Sequence, residues 1–142
     1  MTVRLLLDNS AWARLAAPSL EAERAEEIAK AIEGGEVATC LPFLLEAGYS
    51  AQTANDHGEL IDELLSLPLL SMDERVERRA IDAQHQLAQV GHHRLPPVDL
   101  ILAAIAEQHG VDVLHYDKDF DLLLEKTDLS FGSVWLAPRG SL

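Results

Sequence analysis

The chain has 142 residues, 48% of them hydrophobic, with 24 acids against 11 Lys plus Arg and a formal net charge of -13. That length suits one domain with a substantial core, and the apolar content excludes a disordered polyanion, which lacks the apolar surface to offset chain entropy. The acid excess excludes a broad electrostatic grip on nucleic acid, which would leave a basic footprint.

Val3–Leu7 is apolar apart from Arg4, as in a strand covered on both faces. The run stops at Asp8, too short for a signal-peptide core or a membrane span. From about Pro18, SLEAERAEEIAKAIEGG predicts a helix with Ser19 as N-cap, ended by Gly34-Gly35. EVATCL predicts a second strand over 36–41, and Pro42 opens a helix, PFLLEAGYSAQ. Glu59–Leu65 is helical, and Leu67–Leu70 is a short strand or a connection. From Ser71-Met72-Asp73, an amphipathic helix carries Val76, Ala80, Ala83, Leu87 and Val90 on one face. Gly91-His92-His93-Arg94-Leu95 is a loop, closed by Pro96-Pro97. The next helix sets Val98, Ile101, Leu102 and Ile105 at helical spacing and stops at His109-Gly110. A third strand over 111–116, a short helix near 120–125 and a last strand over 134–136 complete the chain. Strands alternating with helical crossovers imply an α/β sandwich on a mostly parallel sheet, as a single domain over 1–142.

Most of the acids belong to solvated helix faces, as do Glu21, Glu23, Glu26, Glu27 and Glu33. Four are placed differently. Asp8 and Asp117 directly follow strands, where residues of a parallel sheet line the ligand crevice. Glu46 lies one turn into the helix after the second strand, and Asp99 in the first turn of the helix after Pro96-Pro97. Singly, each has an ordinary role: Asp8 as a helix cap, Asp99 as a complement to a helix dipole, Glu46 as a salt-bridge partner, Asp117 as a turn residue. Together they converge on one sheet edge, where carboxylates resist ionising as a group unless a cation joins them. An oxygen-rich set of this kind suits Mg²⁺ or Mn²⁺, with Asp119 ahead of Asp121 as a further ligand. Metal-assisted hydrolysis of a phosphodiester is the chemistry such a site supports.

The same residues carry a family likeness. LLLDNSAWARL, PFLLEAGYSA, PPVDLILAAIAEQHGVDVLHYDKDFD and the closing VWL resemble the PIN domain, and within it the VapC-type ribonuclease toxins of bacterial toxin–antitoxin pairs. The resemblance spans essentially the whole chain. It implies a three-layer α/β/α fold, Mg²⁺-dependent endoribonuclease activity with Mn²⁺ able to substitute, products with a 5′-phosphate and a 3′-hydroxyl, a homodimer, and inhibition by a cognate VapB-like antitoxin. The family's metal-binding acids map onto Asp8, Glu46, Asp99 and Asp117, with Asp119 as a fifth, and Ser10 takes the place of a hydroxyl that orients a carboxylate or water. His115-Tyr116 stand where the family often has a Thr before the last acid.

Other candidates are weaker. His92-His93-Arg94 has no spaced metal-ligand partner and is expected on a loop surface. The single Cys40 is expected in the core, and it cannot form an intrachain disulfide or a cysteine metal cage. Trp12 is expected to pack, and Arg75, Arg78 and Arg79 to form a solvated helix face. Arg4, Arg14 and Lys118 lie near the motifs in sequence and are candidates to meet phosphates. Asp8-Asn9-Ser10 lacks the DxD pattern of aspartyl phosphotransferases, and no glycine-rich phosphate loop is present. Two rival functions fit such a chain: a PIN-like protein-binding module without activity, and a metal-dependent phosphohydrolase of small esters. A reducing, cytoplasmic location is expected.

Overall fold

The computed structural model describes residues 2–92 and 94–142, so the expectation for His93 lies outside the described residues. In chain order the elements are β1 (Leu5–Leu7), α1 (Asn9–Trp12), α2 (Ala22–Glu33), β2 (Val37–Cys40), α3 (Leu41–Tyr49) and α4 (Ala54–Leu64). They continue with β3 (Leu69–Leu70), α5 (Glu74–Gln89), α6 (Pro97–His109), β4 (Asp112–His115), α7 (Asp119–Lys126) and β5 (Gly132–Trp135). Five strands in the order β3-β2-β1-β4-β5 form one sheet in which every pair is parallel. Helices cover both faces, giving three α/β/α layers. Parallel neighbours need crossovers, and helices supply them; the strands are then buried on both sides and read as apolar runs. β1 and β2 are buried at every position.

Register decides where the site falls. Leu5 pairs with Val37 on one side and with Asp112 on the other, and Leu7 pairs with Leu114. The chain leaves β1 in one direction toward β2 and β3, and later returns to its other side through β4 and β5. β1 is therefore the strand at which the order reverses, the position where parallel sheets open a crevice at their carboxyl ends. Asp8 and Asp117 both lie just past that edge.

Local chemistry sets the helix ends. Asp73 caps α5 by accepting the Val76 amide at 3.1 Å, and Thr53 caps α4 by accepting that of Asp56 at 3.0 Å. Gly110 closes α6 in the left-handed region at φ 65°, a backbone conformation that strains residues bearing a Cβ. Some expectations shift. Ser19 is not a cap: α2 starts at Ala22 behind Glu21, which makes no side-chain cap bond. Val90 leaves the apolar stripe of α5, since the helix ends at Gln89 and Val90 is 52% exposed. The second strand ends at Cys40 because Leu41 already begins α3. No helix among the described residues is long and apolar enough to cross a membrane.

Candidate metal centre

Asp8 follows three buried leucines, so the strand carries its carboxylate to the sheet edge while leaving it only 3% exposed. Its Oδ2 accepts the Ser10 amide at 2.9 Å and the Ser10 hydroxyl at 2.5 Å, which makes Asp8 the N-cap of α1. Its Oδ1 is buried without a hydrogen-bond partner. Ser10 Oγ in turn accepts the Tyr116 amide at 2.8 Å, joining the end of β1 to the end of β4. Asp117 follows Tyr116, and its Oδ1 accepts the Asp119 amide at 2.9 Å. Asp99 stands in the first turn of α6, 6% exposed, with Oδ2 buried and unpartnered. Glu46 is half-buried on α3.

Asp99, Asp117 and Asp119 form a compact trio, one oxygen of each lying within 4.8 Å of the other two. Asp8 and Glu46 stand outside this trio but act on it. Burial, then the charges of Asp8, Asp117, Asp119 and Glu46, push Asp99 up to about 8. Burial raises Asp8 as well, with Ser10 pulling down and Asp117 adding repulsion. Glu46 is raised by burial and by Asp8 and Asp117. Asp119 is raised by burial and Asp117, and drawn back by Lys118. Two buried oxygens without partners are unusual in a folded protein. With oxygen donors only and repulsion among them, the set fits a hard divalent cation.

The position that lacks the family's Thr carries a different device. His115 is fully buried, between Phe120 and Trp135 with ring centroids at 4.8 and 4.9 Å. Its Nδ1 accepts the Asp117 amide at 3.1 Å, and its Nε2 lies 2.7 Å from Ser133 Oγ. Ser133 donates its one proton to Asp121 Oδ1 at 2.6 Å, so Nε2 must carry a hydrogen and the ring is neutral. Burial agrees, lowering His115 to about 4. Asp121 Oδ2 accepts Trp135 Nε1 at 2.9 Å, so both of its oxygens are engaged and it stands apart from the trio. Although burial opposes it, these two bonds bring Asp121 below the usual carboxylate range. The sequence holds one signal for this network: Ser133 and Trp135 are two apart on a strand and so share a face.

The remaining candidates separate clearly. Arg4 precedes β1, at the opposite end of the sheet, and pairs with Glu36 at 2.6 Å, away from the acids. Arg14 lies at the acidic edge, donating from Nη1 to the Ser10 carbonyl at 2.9 Å. Lys118 is exposed between Asp117 and Asp119. Trp12 packs partly against the core. Cys40 is buried and its thiol is pushed up to about 12 by burial, which leaves no thiolate for chemistry. Arg79 is not a merely solvated residue, as it bridges Glu107 and Asp128.

The PIN domain family model matches residues 5–124, the span that contains all five acids. The chain belongs to the PIN domain family. Among PIN relatives, Ribonuclease VapC18 of Mycobacterium tuberculosis is 35% identical over 139 residues, covering 96% of this chain and 97% of its own. Ribonuclease VapC51 of the same organism is 34% identical over 142 residues, covering 100% and 99%. Ribonuclease VapC21, also from that species, is 39% identical over 123 residues, covering 85% and 86%. The PIN fold is matched by the crystal structure of DNA-bound VapBC from Salmonella typhimurium, with a TM-score of 0.72 at 13% identity over 95% of this chain and 99% of that one. VapBC-5 from Mycobacterium tuberculosis matches with a TM-score of 0.62 at 22% identity, over 94% and 98%.

Proposed function

We propose that this PIN domain is a Mg²⁺-dependent endoribonuclease, the toxin of a toxin–antitoxin pair, in which Asp8, Glu46, Asp99 and Asp117 hold the cation with Asp119 as a further ligand. The observation that carries it is the trio of Asp99, Asp117 and Asp119, with the buried carboxylate oxygens of Asp8 and Asp99 left unpartnered. PIN ribonucleases are metal-dependent, and relatives named as ribonucleases match this chain end to end. Mg²⁺ is the ion we assign, with Mn²⁺ able to replace it, since both take carboxylate oxygen.

A divalent cation, when bound, lowers the pKa of water and offsets charge developing on the phosphoryl and leaving oxygens. The chain's own residues do the rest. Ser10 ties down Asp8 Oδ2 and leaves Oδ1 buried without a partner. The Asp119 amide fixes the Asp117 carboxylate, while His115 fixes the amide of Asp117 itself. Asp99, raised to about 8, favours its protonated form at neutral pH, and a divalent cation held beside it would favour the carboxylate. Among the described residues no side chain is arranged as a nucleophile, so we assign the attack to water. That the products carry a 5′-phosphate and a 3′-hydroxyl is what the family resemblance implies.

The partners we assign are an RNA substrate, a second copy of the chain, and a VapB-like antitoxin, the last suggested by solved relatives that are VapBC complexes. Leu41, Leu45 and Tyr49, exposed along one face of α3 with Tyr49 at 92%, supply apolar surface for association. We take residues 1–142 as one domain, because β5, beyond the matched span, completes the sheet. We place it in the cytoplasm, where RNA and antitoxin meet it.

The test is cleavage of structured and unstructured RNAs with Mg²⁺, Mn²⁺ or EDTA. Expected are cuts that need the ion and vanish in Asp8→Ala and Asp99→Ala chains that still fold. EDTA-insensitive cleavage, or turnover of phosphomonoesters and none of RNA, would overturn the reading.

A further inference from the structure

Acids outnumber Lys plus Arg 24 to 11, so an arginine can easily find a carboxylate. Arg4, Arg24, Arg78 and Arg79 each do so. Arg14 does not, among the described residues, yet it is held in a defined place. Its Nη1 donates to the Ser10 carbonyl at 2.9 Å, and its guanidinium carbon lies 4.9 Å from the centroid of the Tyr116 ring. The ring is itself fixed: its hydroxyl accepts the Leu142 amide at 2.9 Å, and Trp135 packs edge-on with centroids 5.6 Å apart. Both supports belong to the acidic edge. Ser10 bonds Asp8, and Tyr116 immediately precedes Asp117.

A guanidinium has five N–H donors, and the contacts of Arg14 use one. The unused donors form a planar fork, which matches the paired oxygens of a phosphate. An arginine oriented by a carbonyl and a ring, spared from every carboxylate and set beside a site for phosphodiester cleavage, has the geometry of a phosphate ligand. Lys118 lacks this preparation, as its exposed side chain makes no hydrogen bond among the described residues.

We propose that Arg14, seated on Tyr116, is a substrate-binding residue that takes a backbone phosphate of the RNA next to the one being cut. The proposal rests on the ribonuclease reading above. It also explains how so acidic a chain meets RNA, through one oriented cation at the rim in place of a basic surface.

The test compares wild type with Arg14→Ala, Arg14→Lys and Arg14→Gln, with Arg75→Ala on the exposed face of α5 as control. Steady-state cleavage of a fluorescein-labelled single-stranded RNA is followed with Mn²⁺ across a salt series. Expected for Arg14→Ala is a rise in KM of about tenfold, the loss of one charged hydrogen-bonding group, exceeding any fall in kcat. The slope of log KM against log salt should flatten by about 0.7, the share of one phosphate on a single strand. Arg14→Lys should restore the slope but only part of KM, Arg14→Gln neither, and Arg75→Ala should match wild type. Mn²⁺ affinity should be unchanged in every Arg14 variant, and melting temperature should fall by a few degrees at most, about equally in Arg14→Ala and Arg14→Gln. An unaltered KM and slope, or losses that track melting temperature or Mn²⁺ affinity, would overturn the proposal. If the wild-type chain cuts no RNA, the ribonuclease reading falls by itself. Anisotropy of the same labelled RNA in EDTA then decides Arg14: the flattened slope supports the phosphate contact and an identical slope removes it.

Discussion

Two clusters of charge sit in this molecule and behave in opposite ways. In the first, Arg79 of α5 binds Glu107 of α6 through Nε at 2.7 Å and Nη2 at 3.1 Å, and reaches Asp128 before β5 at 3.0 Å. Gln86 exchanges two bonds with Asp128, at 2.9 and 2.7 Å, and the Ser130 amide donates to Glu107 at 2.7 Å. Almost every donor and acceptor is used. Arg79 therefore lowers Glu107, and Gln86 with Arg79 lowers Asp128. At the carboxyl edge of the sheet, the acids Asp8, Glu46, Asp99 and Asp119 are all raised, and two buried oxygens have no partner. The same residue type ties helices together in one place and is held in readiness for a ligand in the other. What differs is whether the fold itself supplies the counter-charge.

That contrast can be broken by mutation. Asp8→Asn and Asp99→Asn should each lower RNA cleavage by more than about 100-fold, beyond what outer contacts to a metal site usually cost, measured as kcat/KM with saturating Mg²⁺. Near-normal turnover would show that the edge needs no cation. Ser10→Ala should cost less, roughly 10- to 100-fold in kcat/KM or in Mn²⁺ affinity, because it frees Asp8 to rotate without removing it.

Acid sharpens the contrast, because the two regions respond with opposite sign. Asp99 is raised in the folded chain to about 8, so the folded state binds the proton more tightly than the unfolded one. Its contribution is fully present below pH ~4 and is lost as pH rises toward 8. Without metal, Asp99→Asn should melt several degrees above wild type at pH 8 and alongside it near pH 4. Saturating Mg²⁺ should reverse the order at pH 8, since wild type gains more of the ion's binding energy than a chain lacking one ligand. Glu107 is lowered, so its contribution is present above its unfolded range near pH ~4 and fades as pH falls further. The smallest effect is expected for Arg79→Ala, about 1 kcal/mol or a few degrees, because the pair is partly exposed and screened. RNA cleavage should persist in that variant at temperatures where it stays folded.

The sheet edge was legible because strand and acid are adjacent in sequence. LLL before Asp8 and VLHY before Asp117 mark a buried strand and its end together. Asp99 was legible through the Pro96-Pro97 exit that starts α6 at Pro97. Glu46 carried a weaker signal, its place one turn into the helix after the second strand, since acids inside helices are common. The network from Asp117 through His115 and Ser133 to Asp121 shows in sequence only as the two-residue spacing of Ser133 and Trp135. It joins β4, β5 and α7, and pairing His115 with Trp135 is a matter of register that neither segment encodes alone. The seat of Arg14 was hidden for the same reason, as Tyr116 lies far along the chain. Ser19 has the look of a cap, a serine before an apolar run, but the backbone starts α2 three residues later.

The pairing of β1 with β4 also governs the protein's birth. Synthesis delivers Asp8 early, but its neighbours across the crevice, Asp117 and Asp119, come from the last part of the chain. A ribosome that has not passed residue 119 holds every segment needed for β1, β2 and β3 and still lacks the acidic pocket. Contacts so distant in sequence close late and slowly. Interrupted translation would therefore release fragments in which the acidic edge is never assembled.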